Sequence, residues 1–264
     1  MPGAVSGAVT LPRVGGGCGF ALSGQTQPAP VGHCTVLEIG DSLGADLGWG
    51  LARDVSANSG LNLVQRDQSD TGLAKPSYYD WPVQLASDLT QYHPQLVLIS
   101  LGGNDEQGMQ VGTSVVRFPT QAWQTAYLAR VRQVITEATN SGAYVLWVGM
   151  PIMQPSAYSQ GMQVIDDLFQ QAVGAEPNAT FIPTWSLFSN PAGAFQSNAA
   201  VNGRGTTLRQ ADGIHYSCAG EAVVATYVLE AIATLYHVQL APSKPAVVTS
   251  WNTTGPLAPS DTFC

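Results

Sequence analysis

Short, predominantly apolar segments recur along the chain and predict the strands of a sheet. They lie at residues 34–39, 61–65, 96–101 and 143–149, with a weaker one at 181–182. Because most of these segments do not alternate between apolar and polar residues, we expect both faces of the sheet to be covered. The pattern is typical of buried, parallel strands.

Between these segments, apolar residues recur at every third or fourth position, which predicts amphipathic helices. The predicted helices follow Ser42 and cover residues 80–92, 119–140, 159–174 and 219–237. Strands that alternate with helices form βαβ units, whose right-handed connections place helices on both faces of one sheet. The chain is therefore predicted to be an α/β protein, a three-layer αβα sandwich with a five-stranded parallel sheet.

The two ends of the chain lack this periodicity and set the predicted domain boundaries. Residues 1–33 are rich in Gly and Pro, and we expect an irregular N-terminal arm there. Residues 34–240 contain all of the predicted strands and helices and are expected to form one domain. Residues 241–264 are rich in Pro, Ser and Thr, and are expected to form a C-terminal tail packed on that domain.

Composition and charge exclude several classes of protein. Hydrophobic residues make up 45% of the 264 residues and charged residues only 11%, so the chain can bury a full core. The formal net charge is −8 and no basic stripe is present, so nucleic-acid binding is not expected. The sequence has no run of 18 apolar residues, so we expect no transmembrane segment.

Small and polar residues follow three of the predicted strands. They occupy residues 40–43, 70–73 and 102–105, and a fourth such segment at 212–215 precedes the last helix. Ligands of parallel α/β sheets bind beyond the carboxyl ends of the strands. We therefore expect the four segments to meet at one crevice.

These segments contain the residue types of nucleophilic catalysis by serine. Ser42 lies at a strand-to-helix turn, and its hydroxyl needs a base to become a good nucleophile. His215 can supply that base, and Asp212, three residues earlier, can hold the imidazole in the required tautomer. An oxyanion can accept from the side chain of Asn104, the backbone N–H of Gly72 and the backbone N–H of Ser42.

Each of these residues also has an ordinary structural explanation. A serine before a helix is commonly an N-cap, an Asp-Gly pair is commonly a turn, and a single histidine is commonly a surface or core residue. Their joint placement at the strand ends favours the catalytic interpretation. Residues 40–44 also fit the G-x-S-x-G motif of α/β-hydrolases, but that fold places several strands before the nucleophile. One predicted strand precedes Ser42, so we reject that fold.

The four segments, in this order, resemble the sequence blocks of the SGNH/GDSL hydrolase superfamily. Ser42 matches the serine of IGDSL, and Gly72 matches the glycine of the second block. Asn104 matches the asparagine of LGGND, and Asp212 and His215 match the DGIH block. The resemblance implies a flavodoxin-like αβα fold and chemistry on acyl esters.

The resemblance extends over about residues 34–237, and the chain is also similar to a bacterial branch of that superfamily. The branch combines these blocks with segments like GLAKPSYYDWP and VLWVGMPIM. We expect a monomeric serine esterase that cleaves short, acetyl-type esters of small molecules or glycans, without a cofactor or a metal. Two alternatives stay open: an O-acetyltransferase that acts on a polysaccharide hydroxyl, and a non-catalytic carbohydrate-binding module.

Four further residues are candidates for substrate binding: Asp41, Tyr79, Asp105 and Met150. Tyr79 follows the second segment and can line the crevice, and Asp105 can orient the amide of Asn104. Met150 follows the fourth strand and can form an apolar wall. The alternatives are core packing for Tyr79 and Met150 and a helix cap for Asp105.

The four cysteines, Cys18, Cys34, Cys218 and Cys264, predict two disulfides. The even count without a C-x-x-C pair favours an oxidising compartment over a zinc site, so we expect a secreted protein, extracellular or periplasmic.

Cys34 opens the first strand, whereas Cys218 lies near the opposite, catalytic end of the sheet. A strand of six residues spans about 20 Å, and a disulfide needs Cα atoms within about 7 Å. This excludes a Cys34–Cys218 bond, and of the two remaining connectivities we favour Cys18–Cys34 with Cys218–Cys264.

Overall fold

The computed structural model describes residues 34–55, 60–236, 244–253 and 255–264 of the protein. In chain order, its strands and helices are β1 (Cys34–Gly40), α1 (Ser42–Asp54), β2 (Leu61–Asp67), α2 (Trp81–Tyr92), β3 (Leu96–Ser100), β4 (Met109–Val111), β5 (Ser114–Val116), α3 (Gln121–Asn140), β6 (Tyr144–Val148), α4 (Ser156–Val173), β7 (Ala179–Ile182), β8 (Asn198–Val201), β9 (Arg204–Thr207), α5 (Cys218–Tyr236) and β10 (Val248–Ser250). Two short 3-10 helices lie at Ser186–Phe188 and Ser260–Phe263.

Five strands form one parallel sheet in the order β2-β1-β3-β6-β7. Every residue of β3 and β6, which have the sequences LVLIS and YVLWV, is buried. Such burial is expected when helices cover both faces of a sheet. The predicted α/β architecture with a five-stranded parallel sheet is confirmed.

The order of the strands determines which helices cover which face. The chain moves from β1 outward to β2, and then returns past β1 to β3 and onward to β7. Because the connections between parallel strands are right-handed, α1 lies on one face and α2, α3 and α4 lie on the other. α1 packs against α5, whereas α2, α3 and α4 pack against one another in series. These two groups form the outer layers of the sandwich.

The reversal of strand order positions the candidate site. It occurs at β1, so a crevice opens outside the carboxyl ends of β1 and β3. Ser42 begins α1 in this crevice, directly after the turn that follows β1. Residues 101–105 follow β3 and lie at the same edge of the sheet.

Two small antiparallel sheets were not predicted. β4 pairs with β5 as a hairpin, and β8 pairs with both β9 and β10. Each of these strands has three or four residues, too few for a repeating pattern to identify it from sequence. β10 lies in the C-terminal tail, so this part of the tail is joined to β8. The N-terminal arm, residues 1–33, lies outside the described residues, and the domain boundaries stay predictions.

Cys218 and Cys264 form the predicted disulfide, with their Cα atoms 5.3 Å apart. The bond joins the first residue of α5 to the C-terminal tail, close to the end of the loop that carries residues 212–215. Cys34 is also disulfide-bonded. Its predicted partner, Cys18, lies outside the described residues.

One helix in the described part of the chain is long and apolar enough, by length and composition, to cross a membrane. It is the window Cys218–Leu235 of α5, of which 67% is buried inside the protein. Glu221 and Glu230 interrupt its apolar sequence, which is why no run of 18 apolar residues occurs. Burial against α1 is typical of the core helix of an α/β domain.

Candidate active site

The turn from β1 into α1 presents Ser42 at the edge of the sheet. A Cβ atom on Gly40 would lie 2.5 Å from the Cα of Gly44 and 2.8 Å from the carbonyl oxygen of Ser100. Glycine is therefore required at position 40 for the chain to turn this tightly. Ser42 follows as the first residue of α1, where backbone N–H groups favour negative charge.

A continuous chain of hydrogen bonds joins Ser42, His215 and Asp212. The Oγ atom of Ser42 is 2.9 Å from Nε2 of His215, and Nδ1 of His215 is 2.6 Å from Oδ2 of Asp212. When Nδ1 carries its proton and donates to Asp212, Nε2 is free to accept the proton of the serine hydroxyl. The structure thus brings together the three residues that the sequence predicted as a triad.

Asp212 is held as an anion by its own loop. Its Oδ1 atom accepts from the backbone N–H groups of Ile214 at 2.8 Å and His215 at 3.0 Å. Partial burial alone would raise the pKa of Asp212, but the hydrogen bonds from His215 and Ile214 outweigh it, and the net pKa lies below the ordinary value. The side chains of Asp212 and His215 are 42% and 32% exposed, so solvent reaches this half of the site.

The predicted oxyanion donors lie on the loops that follow the first three strands. The side-chain nitrogen of Asn104 donates to the carbonyl oxygen of Thr71 at 2.9 Å, which joins the loop after β3 to the loop after β2. An amide nitrogen has two hydrogens, so the second can donate to a substrate oxyanion. A Cβ atom on Gly72 would lie 2.2 Å from Oδ1 of Asp105, so this position requires glycine. The backbone N–H of Ser42 is the third predicted donor.

Asp41 is not a crevice residue, contrary to its predicted role in substrate binding. It is fully buried, and its Oδ1 atom accepts from the N–H of Leu43 at 2.9 Å. Its Oδ2 atom accepts from Gly102 at 3.0 Å and Gly103 at 2.9 Å. Burial raises the pKa of Asp41 to about 6, although these hydrogen bonds act in the opposite direction. The side chain ties the start of α1 to the loop after β3.

Asp105 is also fully buried, and its side chain bonds to groups of the protein. It accepts from the N–H groups of Leu73 at 2.9 Å and Ala74 at 2.7 Å, and from the hydroxyl of Tyr127 at 2.6 Å. Burial raises its pKa despite these contacts. We expected Asp105 to orient the amide of Asn104, but it instead holds the loop after β2 in place.

Met150 and Tyr79 correspond to the core-packing alternatives. Met150 has 0% exposure, and its backbone N–H donates to Asp166 at 2.8 Å. Tyr79 is half-buried and packs edge-to-face on Trp81, with ring centres 4.8 Å apart. Among the described residues, no hydrogen bond or ring contact links either side chain to the triad. The structure does not support their predicted role in substrate binding.

Two residues that hold the loops of the candidate site were not predicted. Asp46, one turn after Ser42 on α1, is buried, and its carboxylate accepts from the N–H of Tyr216 at 2.8 Å. Burial raises the pKa of Asp46 to about 7. The hydroxyl of Tyr158 donates to the carbonyl oxygen of Gly103. A carboxylate on the apolar face of a helix was a usable signal for Asp46, whereas no sequence pattern singles out Tyr158.

Potential metal ligands cluster at one place in the described part of the chain. Cys218, Glu221 and Cys264 offer ligand atoms within 4.8 Å of one another. The two cysteine sulfurs are joined in a disulfide and cannot act as thiolate ligands. This cluster therefore does not add a metal to the chemistry of the triad.

The fold resembles those of several solved hydrolases. An acetylxylan esterase from Geobacillus stearothermophilus, solved as a catalytic mutant, is 18% identical with a TM-score of 0.53, over 81% of this chain and 99% of that one. A GDSL-like lipase from Bacteroides thetaiotaomicron is 13% identical with a TM-score of 0.52, over 75% of this chain and 86% of that one. A psychrotrophic esterase from Pseudoalteromonas sp., inhibited by monoethylphosphonate, is 16% identical with a TM-score of 0.51, over 76% of this chain and 97% of that one. The chain has the SGNH/GDSL hydrolase fold that its sequence predicted.

A family assignment comes from the sequence as a whole. No curated protein sequence matches the chain significantly. The model of a family described as "Protein of unknown function (DUF459)" matches residues 35–231. That range includes most of the parallel sheet, the turn that carries Ser42, and the loop that carries Asp212 and His215. The chain therefore belongs to the DUF459 family.

Proposed function

We propose that this protein is a serine esterase that hydrolyses short, acetyl-type carboxylic esters, with esters on glycans as a candidate substrate class. The observation that carries the proposal is the hydrogen-bonded chain from Ser42 Oγ through His215 to Asp212, with distances of 2.9 Å and 2.6 Å. This arrangement activates a serine hydroxyl as a nucleophile.

In the proposed reaction, Ser42 Oγ attacks the acyl carbon while its proton passes to Nε2 of His215. The charge that develops on the carbonyl oxygen is stabilised by the backbone N–H groups of Ser42 and Gly72 and the side-chain N–H of Asn104. When the tetrahedral intermediate collapses, His215 returns the proton to the departing alkoxide and an acyl-Ser42 ester remains. A water molecule, deprotonated by His215, then releases the acid and restores the serine.

Exposure of the triad supports hydrolysis over acyl transfer. The His215 side chain is 32% exposed and that of Asp212 is 42% exposed. Water therefore reaches the base that deacylation needs, whereas a transferase must keep water away from its acyl-enzyme. The O-acetyltransferase alternative has no comparable observation in its favour, and the ordered triad argues against a non-catalytic module.

One observation supports a short acyl group. One solved protein of similar fold is an acetylxylan esterase. We also propose that the protein is secreted, since the Cys218–Cys264 disulfide requires an oxidising compartment in most organisms.

The test is covalent labelling by an alkyl phosphonate ester, followed by peptide mass mapping. We expect one adduct, on Ser42, and hydrolysis of p-nitrophenyl acetate that Ser42→Ala reduces by roughly 10³-fold or more. Ser77→Ala, at an exposed serine, is the matched control and should keep full activity. An adduct at another residue, or a Ser42→Ala variant with most of its rate, would refute the assignment. Comparison of acetyl with octanoyl esters then tests the preference for a short acyl group.

A further inference from the structure

Arg209 is a buried cation beneath the loop that carries His215. Its side chain is 1% exposed. The guanidinium carbon lies 5.0 Å from the ring centre of Tyr216, 5.4 Å from that of Phe188 and 5.8 Å from that of Phe195. The faces of aromatic rings attract a cation, so these three side chains form a cage that holds the guanidinium in one position.

The polar contacts of Arg209 are few and point to the catalytic loop. Its Nη2 atom donates to the carbonyl oxygen of Ile214 and lies 3.1 Å from the sulfur of Met153. Its Nε and Nη1 atoms have no hydrogen-bond partner within the described residues. Asp46 and Asp212 act on Arg209 through their charge, but neither forms an ion pair with it in the described structure.

Stability alone does not account for this arrangement. A guanidinium that is buried without a direct ion pair loses its hydration, and the ring faces, the two polar contacts and the charges of Asp46 and Asp212 restore only part of it. Replacement of such buried charged groups by apolar side chains of similar size is often neutral or stabilising. A methionine at position 209 would fill the same space among the rings without that penalty. A cation at this position therefore indicates a requirement other than folding.

The carbonyl group that Arg209 holds belongs to the peptide between Ile214 and His215. The N–H of the same peptide donates to Oδ1 of Asp212 at 3.0 Å. One rigid, planar peptide thus connects the guanidinium to two members of the triad. On the other side, the N–H of Tyr216 is held by Asp46. Loss of the contact at Ile214 would leave that peptide its N–H bond to Asp212 but remove the hold on its carbonyl side, so that the peptide could tilt and displace the imidazole.

We propose that Arg209 is a positioning residue of the triad, which holds the Ile214–His215 peptide so that the imidazole lies between Ser42 and Asp212. The guanidinium is suited to this because it is planar, always charged, and stacks on aromatic faces while it donates. The inference rests on the proposed esterase function. It assigns Arg209 no contact with the substrate.

The experiment compares Arg209→Met and Arg209→Lys with the matched control Arg204→Met, at an exposed arginine of β9. Three quantities are measured for each purified protein: the midpoint of thermal unfolding, kcat and KM for p-nitrophenyl acetate, and the low-field proton NMR resonance of the His215–Asp212 hydrogen bond. That resonance reports the geometry of the pair whether or not the protein cleaves esters.

For Arg209→Met we expect an unfolding midpoint equal to or above that of the wild type. We expect kcat to fall by roughly 10- to 100-fold with little change in KM, since misplacement of a catalytic group by about 1 Å has this effect. The low-field resonance should be lost or broadened. Arg209→Lys should give intermediate values, because lysine donates one hydrogen bond but does not stack in the same way. Arg204→Met should match the wild type in all three.

Two outcomes would overturn the proposal. One is a folded Arg209→Met protein with wild-type kcat and an unchanged resonance. The other is a fall in stability that accounts for the loss of activity, which indicates a purely structural role. Should Arg209→Met fail to fold, Arg209→Lys decides: wild-type kcat and resonance in that variant refute the proposal. Should the wild type cleave no ester, the proposed function fails, and the resonance and unfolding midpoint still test whether Arg209 positions His215.

Discussion

The two halves of the candidate site differ in how deeply their carboxylates are buried and in which parts of the chain those carboxylates join. The serine half consists of the loops after β1, β2 and β3, where Asp41 and Asp105 are fully buried and each accepts three hydrogen bonds from those loops and from Tyr127. The histidine half consists of residues 209–217, where the Asp212 side chain is 42% exposed and bonds within its own loop.

The difference matches what each half would do in the proposed reaction. Donors that stabilise an oxyanion must be fixed before the reaction, because any reorganisation during it raises the barrier. Buried carboxylates that each accept several N–H or O–H groups provide that fixed frame. In the proposed reaction the histidine exchanges protons with substrate and water, which requires access to solvent. Removal of a carboxylate from the serine half should therefore affect folding first, whereas removal from the histidine half should affect the rate first.

The largest effect is expected for Asp212→Asn, which tests the histidine half. The amide can still occupy the same space, but it cannot hold the required tautomer as an anion does, so we expect kcat to fall by roughly 10³- to 10⁴-fold. The free energy of unfolding should change by less than about 1 kcal/mol, since the side chain is partly exposed. Ester hydrolysis and urea unfolding measure the two quantities. Asp167→Asn, at an exposed aspartate of α4, is the control. A large loss of stability with little loss of rate would reverse the comparison.

The next largest effect is expected for Asn104→Ala, which tests whether the serine half stabilises the charge of an oxyanion. Loss of one oxyanion donor lowers kcat by about 10²- to 10³-fold, and KM should change little. The side chain also donates to Thr71, so circular dichroism must show that the variant is folded. Asn140→Ala, at the exposed end of α3, serves as the control. An effect confined to KM would instead make Asn104 a residue that binds the ground state.

Asp41→Ala tests directly whether the buried carboxylates of the serine half stabilise the fold. Three backbone N–H groups lose their acceptor, and each buried, unpaired donor costs about 1–3 kcal/mol. Because removal of the buried carboxylate also removes its desolvation penalty, we expect a net loss of about 3 kcal/mol in the free energy of unfolding. Asp167→Ala gives the baseline for an exposed aspartate. If Asp41→Ala proved as stable as Asp212→Ala, the two halves would not differ in the way described above.

The sequence predicted which residues meet at the candidate triad better than it predicted the contacts that hold them. Ser42, Asp212 and His215 could be recognised because their residue types lie at strand ends and before the last helix. Asp41 and Asp105 also follow strands, but the sequence does not show which way a side chain points. Backbone N–H groups from distant loops decide that, and these contacts are up to 62 residues apart in the chain.

Elements held by distant contacts were missed for the same reason. The strand β10 pairs with β8 across tens of residues, whereas β8 and β9 form a local hairpin, and all three are too short to show alternation. Arg209 was also overlooked, since its cage consists of Phe188, Phe195 and Tyr216, which no local pattern connects. What the sequence predicts well is local periodicity and residue chemistry, and what it misses is the direction of side chains in loops.

The smallest expected effect is on the dependence of stability on pH. The buried carboxyls and Asp212 contribute to that dependence with opposite signs. Burial raises the pKa of Asp41 to about 6 and those of Asp46 and Asp166 to about 7, from an ordinary value of 3.8. Between about pH 4 and pH 7 the folded protein therefore keeps protons that the unfolded chain releases, so these groups make the free energy of unfolding fall as the pH rises. Their contribution is fully present below the unfolded pKa and is lost as the pH passes the folded values. Asp212, whose pKa is lowered, has the opposite sign, but its exposure keeps that contribution small. We expect Asp166→Asn, which removes one buried group, to flatten the pH dependence by roughly 1–2 kcal/mol across this window, a part of the roughly 4 kcal/mol to which a full shift of about three pKa units corresponds. Asp261→Asn, at an exposed aspartate of the C-terminal tail, should leave it unchanged. Urea unfolding at half-unit pH steps measures both, and a wild-type stability that rises from pH 4 to pH 7 would show that the buried carboxyls are ionised throughout.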